Sequence, residues 1–422
     1  MIEGERPRNL HADRSQVGNS ILLGLLYVIS TNGFFISFSG FEFNPSKLLL
    51  LLLLPLFSIK FLLNYKLSKS DLYFFLFLIL AIIFAFAKGT TESISGLTNF
   101  LLPYICYKFY TRGEHSILNL DLLFKIILFW TLLHCILGLT QFYLEDRSLI
   151  FFDEIQEWKL RYAQDYFFNP FENLTLLPHG LYSYSSVFAI SLIFPFFVLL
   201  GNYTMLNRKY FYLLFAIIFT TIFVCFSRFE IMSAFFGIVL FLFIIKKNRV
   251  KTNSLKIFLI LFVILLILLV MYIYTVLGQF GTVGARIITS DQLNVLFPNI
   301  EDFISGGIIE GFRDNFDIDV PHNIYVFSIF TFGIFCSVFL FLFFLQIGFH
   351  HYNLLKSMSV KTAQSFKSFR AYAFVSIFYL YIFFLRGFDY YIFDGYESIF
   401  LIFLTLIILD NYKKELEYLK KI

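Results

Sequence analysis

Apolar runs recur along the whole chain and are separated by short polar segments. Each run has roughly 16 to 25 residues, which is long enough for a helix to cross a bilayer with or without tilt. The pattern therefore predicts twelve transmembrane helices, which lie near residues 21–39, 46–64, 71–88, 96–110, 120–142, 179–200, 210–226, 231–246, 257–277, 323–348, 368–386 and 396–411.

Composition agrees with the pattern. The chain is 59% hydrophobic, its mean hydropathy is +0.76, and 62 of its 422 residues are Phe. A soluble domain cannot bury that much apolar surface, so we expect an all-α polytopic integral membrane protein. Residues 21–422 are expected to form one transmembrane domain. Residues 1–20 are polar, with three Arg and no Lys, and we interpret them as an N-terminal tail or an expression leader.

The distribution of cations predicts the orientation. Setting aside the three arginines of residues 1–20, the remaining Lys and Arg divide 21 to 9 between the two faces that twelve spans define. Cytoplasmic loops carry the excess of Lys and Arg, so both termini are expected in the cytoplasm. The opposite face carries 20 acidic residues, and six of its nine cations are Arg. Arginines on a face that topology disfavours call for another explanation.

Two loops on the outer face, near 143–178 and 278–321, are much longer than the others. Loops of this length are either functional or disordered. Both mix aromatic and acidic residues, which favours short amphipathic segments on the membrane surface or a cleft that stacks against sugars.

The connection between the seventh and eighth spans contains Arg228 and Glu230. An ionised group at a membrane boundary is costly and indicates a functional site. The alternatives are an Arg that extends to the lipid headgroups, or an ion pair with Glu230. Glu230 could also act as a carboxylate base.

The second long loop carries further candidates. Arg286 and Arg313 each follow glycines that let backbone amides approach an anion, and the alternative is that they are ordinary loop arginines. His322 lies where this loop enters the next span, and imidazole titrates near physiological pH. The alternative for His322 is an interfacial structural histidine.

Other residues are assigned more briefly. Arg161 and His179 form a further set in the first long loop. No cluster has metal-ligand spacing. The four cysteines fall within apolar runs and are expected to be small buried hydrophobes, and His350-His351 is expected to be a solvated loop feature.

In combination these fragments resemble the superfamily of O-antigen polymerases (Wzy-type) and O-antigen ligases (WaaL-type), which are polytopic membrane glycosyltransferases. The similarity extends over roughly residues 150 to 350 and lies in the order of its parts. These parts are an outer Arg followed by Gly-Leu-Tyr (Arg161, Gly180-Leu181-Tyr182), a Ser-Arg between two spans (Ser227-Arg228), an Arg after the next outward helix (Arg286), and a Gly-rich approach (Gly306, Gly307, Gly311) to His322-Asn323-Ile324-Tyr325 and Gly333.

The resemblance implies a GT-C-like fold in the bacterial inner membrane and a periplasmic active site. It implies metal-independent, inverting glycosyl transfer from an undecaprenyl-diphosphate-linked oligosaccharide, with no cofactor. Arg228 and either Arg286 or Arg313 would bind the diphosphate, and His322 or Glu230 would be the base. Four residues would contact the substrate, namely Arg161, His179, Asn323 and Tyr325.

The resemblance also implies partners. They are the lipid-linked oligosaccharide, membrane lipid, a chain-length regulator and a flippase, and no nucleic acid is expected. The acidic outer face favours a polymerase over a ligase, whose lipid A core acceptor is rich in phosphate. A polysaccharide flippase or other transporter is the alternative of another class, but such proteins typically show paired halves and ionisable groups near mid-membrane.

Overall fold

A computed structural model describes part of the chain. The described residues are 14–30, 36–38, 41–43, 48–49, 51–52, 55, 68–88, 91–111, 116–144, 178, 180, 185–203, 206–225, 228–247, 300–307, 324–357, 371–372, 374–376, 378 and 396–421. Apart from one two-stranded hairpin, the elements among them are helices. They are α1 (Arg14–Ser30), β1 (Ile36–Phe38), β2 (Phe41–Phe43), α2 (Lys69–Lys88), α3 (Thr91–Thr111), α4 (Leu120–Leu144), α5 (Ser185–Gly201), α6 (Arg208–Val224), α7 (Arg228–Lys247), α8 (Ile300–Ser305), α9 (Ile324–Phe332), α10 (Ile334–Ser357) and α11 (Tyr396–Lys421).

Three of the described helices are long and apolar enough to cross a bilayer, over residues Lys69–Lys88, Leu120–Tyr143 and Ile334–His351. The first two coincide with the predicted spans 71–88 and 120–142. The third overlaps the predicted span 323–348 and extends three residues beyond it, and Gly333 divides that span into α9 and α10. The other predicted spans stay predictions. The protein is thus a helical protein with candidate membrane-crossing helices.

The predicted first span, residues 21–39, is wrong in its second half. Helix α1 ends at Ser30, and β1 pairs with β2 in an antiparallel hairpin that sets Ile36 opposite Phe43 and Phe38 opposite Phe41. The physical reason is visible in the sequence. Apolar and polar residues alternate with the period of two that suits a strand, and a two-residue connection containing Gly40 suits a tight turn.

Helix α1 also starts earlier than predicted, at Arg14. The amide of Gln16 donates to the carbonyl of Ser116 at 2.9 Å, and the buried Ser20 hydroxyl accepts from the backbone N–H of Asn119 at 2.7 Å. The boundary drawn after residue 20 therefore falls inside a helix whose polar first turns bind the segment before α4.

The helices pack in pairs around an aromatic core. Helix α2 packs against α10, α3 against α11, α1 against α4, and α5 against both α6 and α7. In the centre, the Phe74 ring stacks on Tyr104 with centroids 3.9 Å apart, and Phe343 and Phe403 close around this pair. The abundant Phe thus fills interhelical space, and all four cysteines are buried, as predicted.

One end of the bundle is tied together by Asn411, and we call it the Asn411 end. The Asn411 side chain donates to the carbonyl of Tyr110 at 3.1 Å and accepts from the N–H of Ile117 at 3.1 Å, which joins α11 to α3 and to the segment before α4. Lys414 donates to the carbonyl of Thr111 at 2.6 Å.

The expectation for His350-His351 is wrong for His351. Both residues lie in α10, and His351 is buried, with its Nδ1 2.9 Å from the Tyr372 hydroxyl. A hydrogen-bonding partner and burial make it part of the packed structure, whereas His350 is exposed.

Candidate functional site

The opposite end of the bundle contains the parts of the predicted site that the structure describes. Helix α3 ends and α4 begins at the Asn411 end, so the start of α3, the end of α2 just before it and the end of α4 lie at the opposite end. Helix α6 ends there and α7 begins there, because Cys225 after α6 contacts Pro178, and Gln141 near the end of α4 holds Gly180. We call it the Lys88 end, after the last residue of α2. Of the nine predicted site residues, Glu230 is described with its side chain, and Arg228 and Tyr325 by their helical backbone. The other six lie outside the described residues, namely Arg161, His179, Arg286, Arg313, His322 and Asn323.

Glu230 lies in the first turn of α7 and is only 1% exposed. Its carboxylate therefore points into the bundle rather than towards lipid or water. The backbone N–H groups at a helix N-terminus carry partial positive charge, which favours a carboxylate at this position. Arg228 is the first residue of the same helix, so the two charged residues that the sequence singled out share one helix terminus at the Lys88 end.

A buried glutamine holds Gly180, the residue that follows His179 in the sequence. The Gln141 side chain is fully buried, and its amide donates to the carbonyl of Gly180 at 2.8 Å while its oxygen accepts from the N–H of Gly180 at 2.9 Å. Gly180 has a φ of +57°, a conformation that costs glycine little. A side chain that both donates and accepts can thus replace a backbone partner for this turn.

The same turn reaches the end of α6. The Cys225 thiol lies 3.7 Å from the carbonyl oxygen of Pro178, and Cys225 precedes Arg228 by three residues. Two parts of the predicted pattern, the turn at 178–180 and the start of α7, are therefore brought together from sequence positions far apart.

A second cluster at this end is built on Lys88. Its ammonium lies 2.7 Å from the Asp302 carboxylate in α8 and donates to the carbonyl of Gly306 at 2.8 Å. Gly306 packs directly on Gly333, and the N–H of Gly307 donates to the carbonyl of Thr331 in α9 at 3.3 Å. The glycines at 306, 307 and 333 that the sequence pattern linked are thus in one place.

Sequence reasoning placed Lys88 and Asp302 on the outer face but assigned no role to them or to Gln141. Gln141 carried a signal, because an amide near the end of an apolar helix needs a partner. Lys88 also carried one, as one of only three lysines on the face that the cation bias disfavours. Neither signal identifies the residue that Gln141 or Lys88 contacts.

Searches for similar proteins return no match to this chain, either among protein-family models or among curated proteins. Among the described residues there is also no group of three or more His, Cys, Asp or Glu that could hold a metal ion.

Proposed function

We propose that this protein is a surface-polysaccharide polymerase of the O-antigen type. It would join undecaprenyl-diphosphate-linked repeat units at the periplasmic face of the bacterial inner membrane, within a bundle of twelve spans whose termini are cytoplasmic. The observation that carries the proposal is the position of three parts of the sequence pattern. The turn at 178–180, the start of α7 with Arg228 and Glu230, and the glycines at 306, 307 and 333 all belong to one end of the bundle.

The reaction breaks the bond between the anomeric carbon of the donor sugar and the diphosphate, and forms a bond from that carbon to an acceptor hydroxyl oxygen. Negative charge grows on the departing diphosphate, and Arg228 with Arg286 or Arg313 would stabilise it. The hydroxyl proton would pass to His322 or Glu230 as general base. Attack opposite the leaving group inverts the anomeric centre.

The placement of buried charge favours an enzyme over a transporter. Among the described residues, the buried Asp, Glu and Lys side chains are Asp71, Glu230 and Lys414. All three lie at or just beyond the ends of the predicted spans 71–88, 231–246 and 396–411. His134 is buried near the middle of α4, and its ring lies among aromatic side chains. Transport pathways place charged groups near the middle of the membrane, where ions or protons must pass.

The test is glycan synthesis by His322→Ala and Arg228→Ala in a strain lacking the native gene. Both variants should be expressed normally and should fail to extend the glycan, since one loses a candidate base and the other a diphosphate ligand. The ladder of polymer lengths on a gel is the measurement. His350→Ala and Arg208→Ala are matched controls, because both residues are exposed and lie towards the Asn411 end. Full ladders from both site variants would sink the assignment.

The gene-deletion strain separates the polymerase from the ligase, which uses the same donor. A single repeat unit on the lipid A core after deletion indicates a polymerase. A core with no repeat unit, accompanied by accumulated lipid-linked polymer, indicates a ligase.

A further inference from the structure

Lys88 makes two polar contacts that join α2 to α8 and to the residues just after it. As the last residue of α2, it reaches the Asp302 carboxylate of α8 at 2.7 Å and the carbonyl of Gly306, just after α8, at 2.8 Å. The two charged side chains are 19% and 26% exposed, so the pair is partly shielded from water. Contact with a backbone carbonyl fixes the course of the chain as well as the position of a side chain.

The segment that Lys88 grips is itself locked to the break between α9 and α10. Gly306 and Gly333 have φ values of +69° and +82°, and a Cβ added to Gly306 would lie 2.4 Å from the Gly333 nitrogen. No other residue type fits so close a backbone approach. With the hydrogen bond from Gly307 to Thr331, residues 300–307 and helix α9 form one fastened unit.

This unit flanks the sequence on which the proposed reaction depends. Gly307 and Ile324 border residues 308–323, which contain Arg313, His322 and Asn323. The two described elements that this segment connects are therefore held against each other. Catalysis by positioned groups is sensitive to their placement, since a misplacement of about 1 Å can cost on the order of 100-fold in rate.

We propose that Lys88 is a positioning residue for glycosyl transfer, which holds residues 300–307 on α9 through Asp302 and Gly306. The inference rests on the proposed function. The proposal gives a reason for a lysine on the face where the cation bias disfavours it. It also differs from a role in stability alone, because it predicts an effect on the rate of glycosyl transfer. A role in stability alone would lower the unfolding temperature and leave the kcat of the folded protein unchanged.

The test compares Lys88→Met, which keeps the length of the side chain, with Lys88→Arg, which keeps the charge. Each purified variant is reconstituted in vesicles with lipid-linked repeat units, and kcat, KM for the donor and the unfolding temperature are measured. We expect Lys88→Met to lower kcat on the order of 100-fold, with a much smaller change in KM, and Lys88→Arg to retain most of the rate. Asp302→Asn should also lower kcat, which keeps the test valid if Lys88→Met does not fold. The exposed Lys125 in α4 provides the matched control Lys125→Met.

The outcomes separate this inference from the proposed function. Wild-type kcat in Lys88→Met, a loss in Lys88→Arg as large as in Lys88→Met, or an equal loss in Lys125→Met overturns the positioning role while polymerase activity stands. No polymer from the unaltered protein, or full activity of both His322→Ala and Arg228→Ala, overturns the proposed function and removes the basis of the inference.

Discussion

At the scale of single residues, the Lys88 end depends on glycines that let two backbones touch. A Cβ on Gly333 would lie 2.0 Å from the carbonyl oxygen of Ile304, which is far inside van der Waals contact. The obstacle is backbone, so no rotation of a side chain can relieve it. In the sequence, Gly333 is a glycine inside a predicted span. In the structure, its backbone is the surface that residues 304–306 contact.

Substitution of Gly333 by Ala is therefore expected to destabilise the protein. The left-handed φ alone costs roughly 1–2 kcal/mol for an L-residue, and displacement of the Ile304 carbonyl adds to that cost. The unfolding temperature of the purified protein in detergent is the measurement. Gly18→Ala in α1 is the control, because nothing lies within 4 Å of its added Cβ and Ala favours a helix by up to about 1 kcal/mol. An equal decrease in both variants would contradict the contact.

At the scale of elements, α2 is held at both ends by charged groups. At its start, Asp71 is fully buried and pairs with Lys108 of α3. The Tyr104 hydroxyl donates to the same carboxylate at 3.0 Å, and the Ser68 hydroxyl does so at 2.7 Å. At its other end Lys88 bonds to α8. These polar contacts at its two ends thus fix the position of α2 along its axis relative to α3 and α8. Apolar packing is not directional and defines that position less closely.

Lys108→Met is expected to lower the free energy of unfolding by roughly 3 kcal/mol, because it leaves the buried Asp71 carboxylate without its cation. Tyr104 and Ser68 still donate to Asp71, which keeps the loss near the low end for buried pairs. Chemical unfolding in mild detergent measures it. Addition of Asp71→Asn to Lys108→Met should restore part of the loss, since the neutral amide needs no counter-charge. The control is Lys69→Met, at an exposed position of α2, the helix that contains Asp71. It should change stability by less than about 0.5 kcal/mol. A similar loss in both single variants would argue against a buried pair.

At the scale of the whole molecule, the two ends of the bundle are expected on opposite sides of the membrane. The cation asymmetry predicts the Asn411 end in the cytoplasm and the Lys88 end outside. Ile300 is 80% exposed at the Lys88 end, and Glu417 is exposed towards the other end. The four native cysteines are buried, so they contribute little background to thiol labelling.

Single substitutions Ile300→Cys and Glu417→Cys test this orientation in spheroplasts. A membrane-impermeant maleimide should label Ile300→Cys in intact spheroplasts, and should label Glu417→Cys only after permeabilisation. Protein without either substitution is the control for background. The reverse pattern would invert the orientation and move the proposed site to the cytoplasm.

The candidate site was only partly readable in the sequence. Arg228 and Glu230 stood out because charge at the end of an apolar run is costly, and the structure sets both in the first turn of α7, with Glu230 buried. The glycines at 306, 307 and 333 stood out by their order. Gln141 and Lys88 were not assigned roles. The sequence shows that each polar side chain needs a partner, but it does not show which residue the partner is.

The sequence by itself determined the helical character of the chain, and it predicts a division of charge between two faces of the membrane. Both are properties of composition and local order, since a helix satisfies its own backbone and hydropathy is read along the chain. The tertiary structure alone decided that Lys88 meets Asp302, that Gln141 holds Gly180, and that Gly306 packs on Gly333. These contacts join residues 27 to 214 positions apart, and no periodicity in the sequence records which distant segments will meet.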